Sequence, residues 1–274
     1  MTAPIHPRLS VNALCFPDAD LAQVGRYWRE IGCARVGAPS TLIGEDLAPL
    51  REILKSGPFQ LECLTHLVFG DRPLPPEGPE WDEARARLGR AIDNAAALGG
   101  QSVYLITGGH GDVTWEEAAE RFSAGIAPCV ARAEAAKIKL MVEPAPAIYA
   151  DMHIAHSLGD TLLLAQMAGI GVCIDVVSCW PEAGLKETIA RAMPRTWLVQ
   201  LGDYVAGDRA MPYRAVPGDG DIPLKRILGW LLDEGYNGVF DLELIGPRID
   251  AEGHLEATRR AAIVVSEMLR SLGA

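Results

Sequence analysis

The stretch Lys139–Val176, KLMVEPAPAIYADMHIAHSLGDTLLLAQMAGIGVCIDV, contains one complete repeat unit of this chain. It opens on the apolar run Leu140-Met141-Val142, turns at Glu143-Pro144, continues through a helical stretch from Leu158 to Met167, and closes on Val172-Cys173-Ile174. A short apolar run, an amphipathic segment and a second short run read as two parallel strands joined by a crossover helix.

Outward from this unit the same alternation covers the whole chain. Strands are expected over Ser10 to Phe16, Ala34 to Gly37, Gln60 to Val68, Ser102 to Ile106, Lys139 to Glu143, Val172 to Val176, Trp197 to Leu201 and Val239 to Leu244. Helices are expected over Leu21 to Ile31, Asp46 to Lys55, Trp81 to Leu98, Trp115 to Ala136, Leu158 to Met167, Leu185 to Ala192, Leu224 to Glu234 and Leu255 to Leu269. Apolar residues recurring at three and four positions, as in Leu228, Leu231 and Leu232, lay one stripe of each helix against a sheet. Gly32, Gly57, Gly99, Gly169 and Gly235 stand where helices end, and glycine tolerates the left-handed conformation common there. Eight strand–helix units in 274 residues suit closure into a (β/α)8 barrel better than an open doubly wound sheet. No linker or low-complexity segment cuts the chain, so one domain over residues 1–274 is expected.

Bulk properties exclude several function classes. The net charge of −11 is spread over the chain and no Lys/Arg run offers a footprint for a phosphate backbone, which argues against a nucleic-acid partner. No apolar run approaches the roughly 20 residues that span a bilayer, and Met1 to Leu9 lacks the features of a secretory signal, so no membrane association is expected. Cys15, Cys33, Cys63, Cys129, Cys173 and Cys179 are scattered, form no C-x-x-C pair, and several fall in apolar runs, which favours buried thiols in a reducing cytoplasm.

The chemistry of such a barrel lies at the C-terminal ends of its strands. The last four expected strands carry Glu143, Asp175, Gln200 and Glu243 there. A carboxylate in an apolar strand costs several kcal/mol unless it is paired or bound to a metal. Oxygen ligands of this kind suit one divalent ion, Mn2+ or Mg2+, with Gln200 adding an amide oxygen. Two bland readings stay open: each carboxylate meets an arginine in a structural pair, or the register is shifted by one residue so that some of them face the helices.

The runs Met141-Val142-Glu143-Pro144, Ile174-Asp175, Val199-Gln200-Leu201-Gly202-Asp203, Arg214 to Ile222, and Gly235-Tyr236-Asn237-Gly238 leading to Glu243 resemble the xylose isomerase-like TIM barrel superfamily of sugar-phosphate isomerases and epimerases. The resemblance covers nearly the whole chain, and its specific motifs lie in the second half. It implies one metal held by Glu143, Asp175, Gln200 and Glu243, with Glu143 and Glu243 also acting as acid and base on opposite faces of a substrate. Two departures stand out: Gln200 and Ser178 occupy places where many sugar epimerases of the family carry histidine.

Around that centre, Arg214 resembles a family arginine that contacts substrate oxygens, with a pair to Asp219 or Asp221 as the structural alternative. His66 ends the third strand, His110 follows Gly108-Gly109 after the fourth, and Trp180 lies just beyond the sixth; all three are substrate-contact candidates, with a satisfied core histidine as the alternative for His66 and plain packing for Trp180. His153 and His156 stand three apart and would share a helix face, but a loop or helix entry is the stronger reading. Pro217-Gly218-Asp219-Gly220 reads as a turn rather than a phosphate site, because acidic residues flank it.

The function these residues imply is isomerisation or epimerisation of a hydroxy-ketone, sugar-like small molecule through an enediolate. The same groups would serve a lyase of the dehydroshikimate dehydratase type. A DNA-repair role like that of endonuclease IV, which shares the fold, needs more strand-end histidines than this chain has. From a different class, a metal-free binding or regulatory barrel would have no use for three costly carboxylates. The Pro-rich loop from Phe69 to Trp81 offers cover for a pocket or for a second copy, which leaves a homo-oligomer open.

Overall fold

The computed structural model describes residues 4–44 and 46–274. Met1, Thr2 and Ala3 of the opening stretch lie outside the described residues. Eight parallel strands close into a barrel in sequence order: β1 Leu9–Asn12, β2 Arg35–Pro39, β3 Gln60–Leu67, β4 Ser102–Ile106, β5 Lys139–Val142, β6 Gly171–Asp175, β7 Thr196–Leu201 and β8 Val239–Leu242. The helices between and after them are α1 Leu21–Ile31, α2 Ser40–Ile43, α3 Ala48–Lys55, α4 Pro79–Ala97, α5 Trp115–Ala136, α6 Leu158–Ala168, α7 Val176–Cys179, α8 Leu185–Ala192, α9 Leu224–Asp233, α10 Pro247–Glu252 and α11 His254–Ser271. Among the described residues no helix is long and apolar enough to cross a membrane.

The chain divides into two compact units, one running through Glu62 and resuming at Leu198–Ala274, the other Cys63–Trp197. In the first, β8 pairs with β1 in parallel through Leu9↔Phe240, Ser10↔Asp241 and Val11↔Leu242, and with β7 through Gln200↔Asp241 and its neighbours. Helix α1 shows why the local sequence folds as it does. The Asp20 carboxylate accepts from the Gln23 backbone N–H at 2.7 Å while the Gln23 side chain accepts from the Asp20 N–H at 2.9 Å, a reciprocal cap that satisfies two donors. Its buried face is Val24, Gly25, Trp28 and Ile31, and it ends at Gly32 with φ of 79°.

In the second unit, β4 pairs with β3 over Cys63↔Ser102 to Leu67↔Ile106, and β5 pairs with both β4 and β6. Helix α5 begins at the Thr114 hydroxyl, which accepts from the Glu117 N–H, and carries Glu116 and Glu117 in its first turn, where they complement the helix dipole. It packs on α4 through a notch: a Cβ at Gly125 would lie 2.3 Å from the fully buried Trp81 ring.

Two local expectations are corrected. Gly57 does not take a left-handed conformation; α3 ends at Lys55 with Ser56 as its C-cap, and Gly57 leaves room for the Phe59 ring, which a Cβ would meet at 2.5 Å. The first strand stops at Asn12 rather than Phe16, because the Asn12 side chain accepts from the Leu14 N–H at 3.1 Å and turns Ala13–Cys15 into a 3-10 turn.

Candidate active site

In the unit that resumes at Leu198, Gln200 and Glu243 are brought together. Gln200 is fully buried at the penultimate position of β7, and Glu243 follows the last residue of β8 with 8% of its surface exposed. The Gln200 amide donates from Nε2 to Glu243 Oε2 at 2.5 Å, and Arg214 Nη2 lies 3.2 Å from Glu243 Oε1. Glu243 is therefore gripped at one oxygen by a neutral donor and at the other by a cation, with Arg214 offsetting its charge in a buried pair.

Arg214 does not turn to the acidic residues beside it. Asp219 is taken by Arg260 through bonds of 2.6 and 2.8 Å, and Asp221 accepts from the Ala206 N–H at 2.7 Å. What sets the Arg214 loop is Asp203, the last residue of the Val199–Asp203 motif. Its carboxylate accepts from the backbone N–H groups of Tyr204 and Gly218 at 2.8 Å and of Gly220 and Ile222 at 3.1 Å. Its backbone exchanges two hydrogen bonds with Ala215, the residue after Arg214, at 2.9 and 2.8 Å. The loop wraps so closely that a Cβ at Gly220 would sit 2.3 Å from Asp203 Oδ1. Two residues before Glu243, the fully buried Asp241 accepts from Asn12 Nδ2 at 2.8 Å.

The unit Cys63–Trp197 carries Glu143, directly after β5, and Asp175, the last residue of β6, both buried. Asp175 caps α7: Oδ1 accepts from the Val177 N–H at 3.1 Å and Oδ2 accepts from the Ser178 hydroxyl. Ser178, which replaces the histidine implied by the resemblance, thus orients the carboxylate three residues before it. Trp180 follows α7 as its half-buried C-cap.

The other expected contacts fare differently. His66 is buried, and that burial, with the Arg87 and Arg90 cations of α4, pushes its pKa down to about 4, so it is a neutral imidazole. His110 holds its own loop, with Nδ1 3.1 Å from the Val113 carbonyl oxygen. His153, expected as a loop or helix-entry residue, lies in the loop before α6 and reaches the Glu143 carbonyl with Nε2 at 2.5 Å. No spacing in the sequence signals that contact.

The sequence profile of the xylose isomerase-like TIM barrel family matches residues 22–268. The chain belongs to that family. Among solved structures it is similar to a protein of Sinorhizobium meliloti 1021, with a TM-score of 0.80 and 24% identity over 96% of this chain and 98% of that one. It is similar to the IOLI protein crystallised with a binding zinc atom, with a TM-score of 0.79 and 15% identity over 96% of this chain and 98% of that one. A D-psicose 3-epimerase with D-tagatose from Clostridium cellulolyticum H10 matches at a TM-score of 0.76 and 13% identity, over 97% of this chain and 99% of that one. Identities of this size establish a shared fold and no more. No curated protein sequence matches the chain.

Membership of the family raises the matter of a metal. Among the described residues no three His, Cys, Asp or Glu side chains are gathered as a metal-ligand cluster. Glu143, Asp175, Gln200 and Glu243 all offer oxygen, the donor that Mg2+ and Mn2+ take. Both oxygens of Asp175 and both of Glu243 already meet protein groups. Gln200 spends an amide N–H on Glu243, and its amide oxygen is the atom it would bring to an ion. Taken one by one, the donor atoms of these four residues are of the type a hard divalent cation takes.

Proposed function

We propose that this protein is a divalent-metal-dependent isomerase or epimerase of a sugar-like hydroxy-ketone, with Glu143 and Glu243 as its acid and base. Glu143, Asp175, Gln200 and Glu243 would hold the ion, Mn2+ or Mg2+. The observation that carries the reading is the grip on Glu243: a buried carboxylate at the end of β8, fixed at both oxygens by Gln200 and Arg214. That the neighbouring folds include sugar epimerases supports the substrate class.

A bound divalent ion supplies the positive charge that lowers the cost of an enediolate at neutral pH. The chain's own residues do the rest. One glutamate takes the proton from the carbon between the carbonyl and hydroxyl groups, and the other returns a proton from the opposite face or to the neighbouring carbon. Gln200 aims Glu243 by its N–H, and Arg214 presents a planar fork that holds both this carboxylate and a substrate oxygen. Asp203 keeps Arg214 in reach through the loop it organises. His66, His110 and Trp180 would line the substrate's side of the site.

The test is solvent exchange. The protein, loaded with Mn2+ and incubated with ketopentoses and ketohexoses in D2O, is expected to place deuterium next to the carbonyl, read by NMR. Glu143→Gln and Glu243→Gln should each lower that rate by about 10³-fold or more with the fold intact. Full activity of Glu243→Gln, or of protein stripped of metal by a chelator, refutes the assignment. A conjugated product absorbing in the ultraviolet, with no deuterium in recovered ketose, identifies a lyase instead.

A further inference from the structure

His153 is fully buried in the loop before α6, yet both of its ring nitrogens are engaged with the ends of two strands. On one side the Thr107 backbone N–H, one residue past β4, donates to Nδ1 at 3.1 Å, and the Thr107 hydroxyl oxygen lies 2.9 Å from the same atom. A nitrogen that accepts an N–H carries no proton, so the ring proton of a neutral imidazole sits on Nε2. Nε2 therefore donates to the backbone carbonyl of Glu143 at 2.5 Å.

The neighbouring contacts turn this one ring into the pin of a strap. Gly108 N–H donates to the Met152 carbonyl at 2.8 Å, and Ile154 N–H donates to the Thr107 hydroxyl at 3.2 Å, fastening residues 152–154 to the end of β4. Ala145 N–H donates to the Ala155 carbonyl at 3.0 Å, and His156 Nδ1 meets the Ala145 carbonyl at 2.9 Å, fastening the same strap to the chain just past β5. Gly109 is part of the fit: a Cβ there would lie 2.7 Å from the carbonyl oxygens of Ala150 and Asp151. The peptide that carries Glu143 is thus held from outside its own strand, through a rigid ring whose two nitrogens face opposite ways.

We infer that His153 is the positioning residue for Glu143: its neutral, Nε2-protonated ring locks the Glu143 peptide to the end of β4 and so fixes where the Glu143 carboxylate points. This inference rests on the acid–base role proposed above for Glu143. A misplacement of about 1 Å costs on the order of 10²-fold in rate, and partners behind a ligand group change its affinity about 10–100-fold when lost.

Two substitutions separate position from stability. In His153→Asn the short amide keeps an acceptor near Thr107 and gives up the reach to Glu143; in His153→Gln the longer amide carries an N–H toward the Glu143 carbonyl. Both lose the ring's packing and are expected to melt at a similarly lowered temperature. His153→Asn should lower kcat for ketose deuterium exchange by about 10–100-fold with KM nearly unchanged, and weaken Mn2+ binding measured by calorimetry to a similar degree. His153→Gln should recover most of both. In 15N-histidine-labelled protein, His153 should show a slowly exchanging Nε2 proton and an unprotonated Nδ1.

Equal rates and equal Mn2+ affinity in the two variants, or losses that follow melting temperature alone, overturn the positioning role while leaving the proposed function standing. A ring protonated on Nδ1 overturns it as well. Wild-type protein that neither binds Mn2+ nor exchanges any ketose proton overturns the proposed function and this inference with it.

Discussion

Replacing Arg214 by leucine removes the cation that faces Glu243 at 3.2 Å, in a pair whose side chains are 11% and 10% exposed. At that spacing and an effective dielectric of ~20 the attraction is about 5 kcal/mol. Desolvation of both ions offsets much of it in the intact protein. The variant loses the attraction and keeps the burial of Glu243, so the expected destabilisation is about 3–5 kcal/mol. For a chain of this size, at about 2 °C per kcal/mol, that lowers Tm by about 6–10 °C at neutral pH. The assay is thermal unfolding of wild type, Arg214→Leu, Glu243→Gln and the double variant, without added divalent ion. In the double variant no lone charge is left by either change, so the two effects should fail to add by about 2–3 kcal/mol. Added salt should barely alter the loss, because a buried pair is little screened. If Arg214→Leu melts within about 1 °C of wild type, or if the two changes add within about 0.5 kcal/mol, the pair is not what holds Glu243.

Two further outcomes follow from the structure. Asp203→Asn leaves one acceptor oxygen for the four backbone N–H groups its carboxylate now serves, and turns an amide N–H toward the others. It should cost about 2–3 kcal/mol, raise KM for the ketose, and expose residues 203–222 to limited proteolysis; an unchanged cleavage pattern would refute the hub role. His66 is held down to about 4 from 6.5 by burial first and by Arg87 and Arg90 next. The unfolded chain therefore takes up this proton at a higher pH than the folded one does. The stability it contributes is complete above pH 6.5 and drains away as pH falls toward 4, by about 3 kcal/mol. His66→Gln should flatten that limb of a Tm-against-pH curve; an unaltered slope between these values would show that His66 is not its source.

The alternation of apolar runs with three-and-four-spaced stripes was enough to read the barrel, since β4, α1, α5 and α8 have the bounds their periodicity predicts. Gly32, Gly99, Gly169 and Gly235 take the positive φ expected past a helix end, whereas Gly57 serves Phe59, a packing role that no local rule separates from a cap. Strand ends were harder, because a side chain such as Asn12 redirects the backbone by a hydrogen bond that periodicity does not register. Glu143, Asp175, Gln200 and Glu243 were legible as polar residues ending apolar strands. Their supports were not: Arg214 finds Glu243 from 29 residues away, and His153 finds Thr107 from 46 residues away. Both partnerships arise only when loops fold back over the strand ends, and neither residue type has a spacing rule for that.

All six cysteines are free and buried, with Cys15 held at the end of β8: its thiol donates to the Leu242 carbonyl at 3.2 Å and accepts the Leu244 N–H at 3.3 Å. Burial raises the Cys15 and Cys179 thiols well above the ordinary range, so neither is a ready nucleophile in the closed molecule. Alkylating reagents must then wait for local opening, and the order in which the six thiols become modified is a map of which parts of the wall breathe first. Cys15, beside Glu243, and Cys179, beside Asp175, turn that chemistry into a separate clock for each of the chain's two units.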